Sequence, residues 1–301
     1  MREEPDTAIG VDVGGTRIRV ARIASDGTLL ERVVEPVKSD REGFVAQLVE
    51  LIAQLQDRGS VAIGIGIPGR VDGEAQHILS AGYLDIGGLD LVGRISKETG
   101  LPVRIENDAT MALIAEGRVR PGAGDGLIFM ITIGTGIGGA ALLDGHPWYG
   151  GGLAGQFGHI VVSPDGSLCN CGRRGCVETF SSGTALGKLI AAAGFPQDTQ
   201  AEDLISRAKS GNVEAETLLA TWALPLQSAI ATLVAVADPR LIVIGGGLGH
   251  EMTRALLRLP NRSSWFGLPI EAARLGDDAG VIGAGLAALS AYGRSSEGQR
   301  A

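Results

Sequence analysis

The chain has 301 residues, of which 45% are hydrophobic, and it carries a net charge of -8. That is enough apolar material for one large domain or two of ordinary size, and the acidic balance argues against a nucleic-acid partner. No apolar run approaches the ~20 residues of a membrane span, and the N-terminus lacks the apolar core of a signal peptide. Because we expect its cysteines to be reduced, we predict a cytoplasmic location.

The first part of the chain predicts alternating strands and helices. Apolar and β-branched runs predict strands at residues 7–13, 17–23, 29–37, 61–67 and 103–105. Apolar residues at helical spacing predict helices at residues 41–57, 88–99 and 107–119.

The second part of the chain repeats the opening pattern. Strands are predicted at residues 126–133, 137–143 and 241–244, and helices at residues 183–193, 201–210, 213–237 and 280–292. Residues 11–27 and 131–145 share the order strand, Gly/Thr turn, strand and Asp-Gly hairpin. The repetition predicts an α/β fold of two related halves with mixed sheets around a central cleft, which is the default ligand site.

All three cysteines stand in one polar loop. Cys169, Cys171 and Cys176 follow His159, and three thiols with one imidazole are a set that structural zinc takes in tetrahedral geometry. The alternatives are three unrelated core cysteines or a disulfide. The polar loop weakens the first, and the odd cysteine count weakens the second. We therefore predict a closed zinc site that has no position for a catalytic water.

Glycine-rich turns follow the first strand of each half. Glycines let backbone N–H groups approach an anion, and threonine adds a hydroxyl donor, so the two turns could hold a triphosphate. Asp12, just before the first turn, could hold Mg²⁺ directly or through water; the alternative is an ordinary hairpin turn. The predicted phosphate-binding residues are Gly14, Gly15, Thr16, Gly134, Thr135 and Gly136.

Asp108 stands between a short strand and a helix, where polar strand ends often face a ligand. It could serve as a general base toward a hydroxyl group, or it could simply cap the helix. Asn107 beside it can donate to and accept from sugar hydroxyls. Farther on, Gly246 and Gly247 follow a buried strand and suit close stacking of adenine, although a helix start packed against the sheet explains them equally well.

Taken together, these motifs resemble those of the ROK family (repressors, open reading frames, kinases) of the actin/hexokinase/Hsp70-like ATPase superfamily. They occur in the family's order over nearly the whole chain. The motifs are DVGGT at 12–16, GIPG at 66–69, END at 106–108, GTGIGGA at 134–140, GH at 158–159, CxCGxxGCxE at 169–178 and GGG at 245–247.

The resemblance implies two RNase-H-like lobes and an ATP-dependent sugar kinase. We expect residues 1–112 to form a small lobe, with residues 283–301 packing back on it, and residues 113–282 to form a large lobe that contains the zinc loop, 159–178. The resemblance implies that Asp108 is the catalytic base. It also implies the same zinc ligands, phosphate-binding residues and Mg²⁺ residue that the motifs above indicate. The implied sugar-binding residues are Gly69, Asn107, Asp108, Gln156, His159 and Glu178.

Two positions depart from the family pattern. Gln156 replaces a usual Glu, and Tyr83 stands where Asn is common. Because a neutral amide makes weaker hydrogen bonds than a carboxylate, these changes leave the sugar open. Glucose is the first expectation, an N-acetylated amino sugar or another hexose is the alternative, and a non-catalytic sugar sensor is the rival of another class.

The resemblance also bears on partners and on the metal. A homodimer is implied, and the turn at residue 12 leaves no room before it for the family repressors' DNA-binding domain. His159 would bind zinc through one ring nitrogen and face the sugar with the other, so that the metal orients the imidazole. We therefore expect zinc removal to raise the KM for sugar, or to abolish activity, while ATP binding survives.

Overall fold

The computed structural model describes residues 5–81, 84–120, 122, 124–196, 198–260 and 267–298. The chain divides into two compact units. Unit 1 comprises Met1–Gly124 with Asp277–Ala301, and unit 2 comprises Asp125–Gly276. These limits differ from the predicted limits at 112 and 282 because one helix continues past residue 112 and the last helix begins before residue 283.

Unit 1 is built on a five-stranded mixed sheet in the order β3-β2-β1-β4-β7. The central strands are buried, and β1, β4 and β7 are mutually parallel, so their carboxyl ends share one edge. The elements of unit 1 are β1 (Thr7–Val13), β2 (Arg17–Ala24), β3 (Leu29–Pro36), α1 (Arg41–Leu55), β4 (Ser60–Ile67), β5 (Arg70–Asp72), β6 (His77–Ser80), α2 (Leu91–Thr99), β7 (Val103–Asn107), α3 (Asp108–Arg118) and α9 (Ala279–Gly298).

The last helix, α9, packs directly on the backbone of the unit 1 sheet. A Cβ atom at Gly10 of β1 would lie 2.0 Å from the Val281 carbonyl oxygen, and one at Gly64 of β4 would lie 1.9 Å from that of Ala284. Only glycine therefore fits at these two strand positions. The opposite face of the sheet buries Phe44 and other apolar side chains of α1. Unit 1 is thus a sheet between two helical layers.

Unit 2 repeats this topology, with a five-stranded sheet in the order β10-β9-β8-β11-β12. As in unit 1, the first strand pairs antiparallel with the second and parallel with a later strand. The repeat predicted from the Gly/Thr turns is therefore a repeat of strand order. The elements of unit 2 are β8 (Leu127–Ile133), β9 (Ile137–Leu143), β10 (His146–Pro147), α4 (Glu178–Ser181), α5 (Gly183–Ala192), α6 (Ala201–Lys209), α7 (Val213–Ala237), β11 (Leu241–Gly245), α8 (Gly249–Arg258) and β12 (Ile270–Ala272).

Helix α7 is long and apolar enough, by length and composition, to cross a membrane, and it is the one such helix within the described ranges. This differs from the expectation that no apolar run approaches the length of a membrane span. Trp222, Ala223 and Leu226 of α7 lie in the core of unit 2, and the Trp222 indole donates to the Ser182 carbonyl oxygen at 2.9 Å. A core helix meets the same criterion, and this burial accounts for much of the apolar character of α7.

Candidate active site

Two carboxylates stand at the carboxyl edge of the unit 1 sheet. Asp12 of β1 pairs in register with Gly66 of β4, and Gly66 pairs with Glu106 of β7. Asp108 follows two residues after Glu106, as the first residue of α3. The parallel register therefore carries Asp12 and Asp108 to the same edge, on either side of one strand.

The Asp12 carboxylate is partly buried and has a cationic partner. Arg19 of β2 donates to it at 3.2 Å and reaches Asp277 at 3.0 Å. A Cβ atom at Gly280 would lie 2.7 Å from the Asp12 carboxylate oxygen, so a glycine in the first turn of α9 leaves room for that carboxylate. Burial raises the pKa of Asp12, and the Arg19 guanidinium opposes this shift.

The carboxyl group of Asp108 also has a raised pKa. Burial raises its pKa to about 7, with a further contribution from the negative charge of Asp12. The Ala109 N–H donates to its carboxylate at 2.8 Å, which opposes the shift only in part. A carboxyl group that titrates near neutral pH suits general base chemistry, since it can both take up and release a proton.

Asn107, not Asp108, caps helix α3. Its side-chain oxygen accepts from the N–H groups of Ala109 and Thr110, and its amide donates to the Gly69 carbonyl oxygen at 2.8 Å. A side-chain hydrogen bond from Asn107 also lowers the pKa of Asp108, although burial outweighs it. Gly69 has a φ of 97° and supplies a carbonyl acceptor at this edge. Asn107 therefore fixes the start of α3, which frees Asp108 for chemistry.

The first glycine-rich turn lies at the same edge and is open. The Gly14 N–H donates to the Arg17 carbonyl oxygen at 2.9 Å, which closes the turn. Gly15 and Thr16 are exposed, and the Thr16 carbonyl oxygen accepts from the Val37 N–H at 3.1 Å. The exposed positions leave Gly15 and the Thr16 hydroxyl available to an anion.

The second turn lies in unit 2 and is held by the protein on several sides. Gly183 N–H donates to the Gly134 carbonyl oxygen at 2.8 Å, and the Thr184 hydroxyl donates to that of Thr135, also at 2.8 Å. A Cβ atom at Gly134 would meet nothing within 4 Å, whereas one at Gly136 would lie 2.6 Å from a Glu178 carboxylate oxygen. Gly134 is thus the open glycine of this turn.

The two glycines predicted for adenine differ in their surroundings. Gly246 has a φ of 81°, and a Cβ there would lie 2.5 Å from the Ile133 carbonyl oxygen. A Cβ at Gly247 would meet nothing within 4 Å. The close approach at Gly246 is therefore to β8, and Gly247 is the position with space for a ligand.

The predicted metal ligands come together in unit 2. The donor atoms of His159, Cys169, Cys171 and Cys176 all lie within 4.8 Å of one another. The distances are 3.5 Å from Cys169 Sγ to His159 Nδ1 and 3.5 Å from Cys171 Sγ to Cys176 Sγ. A tetrahedral zinc site with bonds of about 2.3 Å to sulfur and about 2.1 Å to nitrogen has edges of about 3.6 to 3.8 Å, so the donor set fits zinc.

Two thiols of this cluster have opposite pKa shifts. Burial raises the pKa of Cys176 to about 12, whereas the Arg173 N–H lowers that of Cys171 to about 7. A buried thiol with so high a pKa is protonated at neutral pH unless a cation lies against it. A metal ion bound to the four donor atoms would favour the thiolate form of these cysteines.

The remaining predicted sugar residues of unit 2 flank the cluster. Gln156 precedes the short 3₁₀ turn Phe157–His159, and its carbonyl oxygen accepts from the His159 N–H at 3.1 Å. Glu178 begins α4, and its carboxylate accepts from the Ile137 N–H at 2.9 Å. Tyr83 lies outside the described residues. The structure gives Glu178 an intramolecular partner that its motif did not indicate.

Two residues of unit 1 were not predicted. Arg19 contacts Asp12, and its place across the β1–β2 pair from Asp12 was readable in the sequence as a hairpin position. Gln76 has a φ of 58°, and its side-chain oxygen accepts from the Ile105 N–H at 2.8 Å. It also donates to the Ile105 carbonyl oxygen at 3.1 Å, so it continues the sheet past β7. No local pattern indicates that contact.

The chain is similar to known proteins over nearly its whole length. Residues 8–291 match the ROK family. The chain is 33% identical to a glucokinase of Halalkalibacterium halodurans, over 92% of this chain and 93% of that one. It is 34% identical to an N-acetylmannosamine kinase of Escherichia coli, over 94% and 98%. A ROK family glucokinase of Streptomyces griseus, solved with glucose and AMPPNP, superposes with a TM-score of 0.79 and 30% identity over 94% and 99%.

Proposed function

Since this chain belongs to the ROK family, we propose that it is an ATP-dependent kinase that phosphorylates a hydroxyl group of a hexose, with glucose as the first candidate. The observation that carries the proposal is the pair of carboxylates at the ends of β1 and β7, Asp12 and Asp108, on either side of β4. One has a cationic partner, and the other titrates at a pKa of about 7. The two environments suit two different roles, charge binding and proton transfer.

In the proposed reaction Asp108 is the catalytic base. It takes the proton of the sugar hydroxyl as the oxygen attacks the γ-phosphorus of ATP, and ADP leaves with the bridging oxygen. Asn107 holds the start of α3, and we assign its side chain to the sugar together with the backbone at Gly69. Gln156, His159 and Glu178 are the sugar residues that family resemblance gives to unit 2.

The nucleotide side is supported by the two open turns. We assign Gly14, Gly15 and Thr16 in unit 1, and Gly134, Thr135 and Gly136 in unit 2, to the phosphates. Asp12 would hold Mg²⁺ directly or through water, and the ion would neutralise charge on the phosphates when bound. Gly247, with Gly246 as its support, is our assignment for adenine. Arg19 opposes the effect of burial, which raises the pKa of Asp12.

We assign zinc to His159, Cys169, Cys171 and Cys176, as a structural ion with all four positions filled by protein. A metal analysis of the purified protein that finds less than about one zinc per chain would overturn this assignment.

We also propose that the protein forms a homodimer and that it is located in the cytoplasm. Family resemblance supports the dimer, which sedimentation at working concentration tests, and reduced cysteines support the cytoplasm, which cell fractionation tests.

A second candidate substrate is an N-acetylated amino sugar. Gln156 favours it, because an amide offers two N–H donors to an acetyl carbonyl where a carboxylate offers none. The similarity to the Escherichia coli N-acetylmannosamine kinase is as great as that to the glucokinases. A non-catalytic sugar sensor is the remaining rival, but it would have no use for a base or for phosphate turns.

The deciding experiment is ADP release with Mg-ATP over a panel of sugars that includes glucose, mannose, N-acetylglucosamine and N-acetylmannosamine. We expect one sugar to exceed background, and Asp108→Asn to lower kcat by about 10²- to 10⁴-fold. Asp85→Asn is the matched control, since its side chain is 97% exposed. Sugar binding by calorimetry without turnover would favour the sensor, and full activity of Asp108→Asn would overturn the proposed base.

A further inference from the structure

Glu178 connects two features that the sequence treated separately, the metal-ligand loop and the second phosphate turn. One carboxylate oxygen accepts from the Ile137 N–H at 2.9 Å, directly after Gly136. The other oxygen lies 3.9 Å from Cys169 Sγ. The side chain therefore spans the distance between a metal ligand and the residue that ends the turn.

The turn is shaped to receive this carboxylate. A Cβ atom at Gly136 would lie 2.6 Å from the Glu178 carboxylate oxygen, whereas one at Gly134 would meet nothing. Glycine at 136 thus makes room for the Glu178 carboxylate on the side where a Cβ atom would stand. Ile137 begins β9, and its N–H is at the hairpin end, where the Gly134 N–H donates to the Gly136 carbonyl oxygen at 3.0 Å. The Glu178 carboxylate accepts from the Ile137 N–H, which directly follows this turn.

The metal-ligand loop in turn holds Glu178 in place. The Cys176 carbonyl oxygen accepts from the Thr179 N–H at 2.9 Å and from the Thr179 hydroxyl at 2.8 Å. The Val177 N–H donates to the Ile160 carbonyl oxygen at 2.8 Å, next to His159. The backbone around Glu178 is thus bonded to Cys176 itself and to the residue after His159. Glu178 is the first residue of the short helix α4.

From these contacts we propose that Glu178 is a positioning residue for the nucleotide. Its carboxylate holds the 134–136 turn in the conformation that receives phosphates, and the loaded metal loop holds Glu178. Metal loading then sets the affinity for Mg-ATP as well as for sugar. The inference rests on the proposed kinase function, and it reverses the expectation that ATP binding survives zinc removal.

A role as sugar ligand alone would make a different prediction, and the two are separated by measurements without sugar. The first is the dissociation constant of Mg-AMPPNP by calorimetry. The second is hydrogen exchange of the Ile137 amide. We expect Glu178→Ala to weaken Mg-AMPPNP binding by about tenfold and to speed exchange at Ile137, because a charge-assisted hydrogen bond is lost.

Three further samples make the experiment decisive. Glu178→Gln keeps an acceptor of the same length, so it should retain most of the protection at Ile137. Wild-type protein stripped of zinc, verified by metal analysis, should resemble Glu178→Ala in both measurements. Glu214→Ala is the matched control: it removes an exposed carboxylate in the first turn of α7 and should bind Mg-AMPPNP as the wild type does.

The outcomes are distinct. Mg-AMPPNP affinity that is unchanged in Glu178→Ala and in zinc-free protein would overturn this inference and leave the proposed function intact. Failure of the wild type to bind Mg-AMPPNP at all would overturn the proposed function itself. If Glu178→Ala does not fold, the zinc-free wild type and Glu178→Gln carry the test. Wild-type exchange at Ile137 in the zinc-free protein would then count against the inference.

Discussion

Asp12 and Asp108 carry like charges at one edge of a sheet, and their surroundings separate their behaviour. Arg19 stabilises the charge on Asp12, whereas no cationic group contributes to the pKa shift of Asp108. The repulsion from Asp12 therefore adds to burial in favouring the protonated form of Asp108. The sequence singles out both aspartates, but it does not show the burial of Asp108 or the charge of Asp12 beside it, and these raise the pKa of Asp108.

The pH dependence of turnover should report this shift. A base with a pKa of about 7 is ionised tenfold less for each pH unit below that value, so we expect kcat/KM for the sugar to fall about tenfold per unit below pH 7 and to level off above it. Steady-state rates from pH 5 to 9 at saturating Mg-ATP measure it. A profile that stays flat down to pH 5 would mean that Asp108 titrates near its ordinary value.

The Asp108 carboxyl group should also make the free energy of unfolding depend on pH. The direction is opposite to that of turnover, because stability falls as the pH rises. The Asp108 carboxyl titrates near 3.8 when unfolded and near 7 when folded, so between these values the folded protein binds the additional proton. Its contribution to the free energy of unfolding therefore falls by about 1.4 kcal/mol per pH unit across that window and is constant above it. Asp108→Asn removes the effect.

We thus expect Asp108→Asn to be more stable than the wild type by an amount that grows from pH 4 to pH 7. Urea unfolding at a series of pH values measures it, and Asp85→Asn again serves as the control. An equal difference in stability at pH 5 and pH 8 would show that the carboxyl is not shifted in the folded protein.

At the scale of elements, the contact of α9 with the sheet depends on glycine. A Cβ at Gly64 would lie 1.9 Å from the carbonyl oxygen of Ala284, which is backbone and cannot rotate away. We expect Gly64→Ala to lower the free energy of unfolding by roughly 3 kcal/mol, measured by urea denaturation. Gly187→Ala in α5 is the matched control, since a Cβ there meets nothing within 4 Å and should add about 0.5 to 1 kcal/mol. Equal stability of the two variants would contradict the close packing of α9.

The elements also show what the sequence could and could not predict. Strands and helices with a strong period were found within a few residues, and α7 was predicted with the bounds that the structure gives it. The sequence analysis did not assign the β5–β6 hairpin, α8 or β12, which are short segments beside glycines or in loops. Their stability comes from contacts such as that of Gln76 with Ile105, which joins residues remote in sequence.

The candidate site was predicted to a similar extent. Motifs singled out His159 and the three cysteines, whose donor atoms lie within 4.8 Å of one another, because four such residues at short spacing are a local signal. The roles of Arg19 and Glu178 were not predicted in this form, because each depends on what lies across a strand pair or beyond a turn. Asn107 caps α3 in place of Asp108, a difference of one residue that only backbone geometry decides.

At the scale of the whole molecule, the two units differ in how the chain completes them. Unit 2 is one continuous segment, 125–276, which contains its own sheet, its own core and all four metal ligands. Unit 1 is discontinuous, because α9 covers Ala8 and Ala62 of its sheet and packs beside Met111 of α3. A chain that ends at residue 124 would leave that apolar face open to water.

We therefore expect residues 125–276, expressed alone, to unfold cooperatively on heating, to bind one zinc ion per chain and to melt at lower temperature after chelation. Residues 1–124 alone should not give a cooperative transition by circular dichroism. Addition of a peptide of residues 277–298 should restore one, because the glycines of β1 and β4 accept only a helix backbone at that distance. Cooperative unfolding of residues 1–124 without the peptide would show that α9 is an accessory to the first sheet and not part of its core.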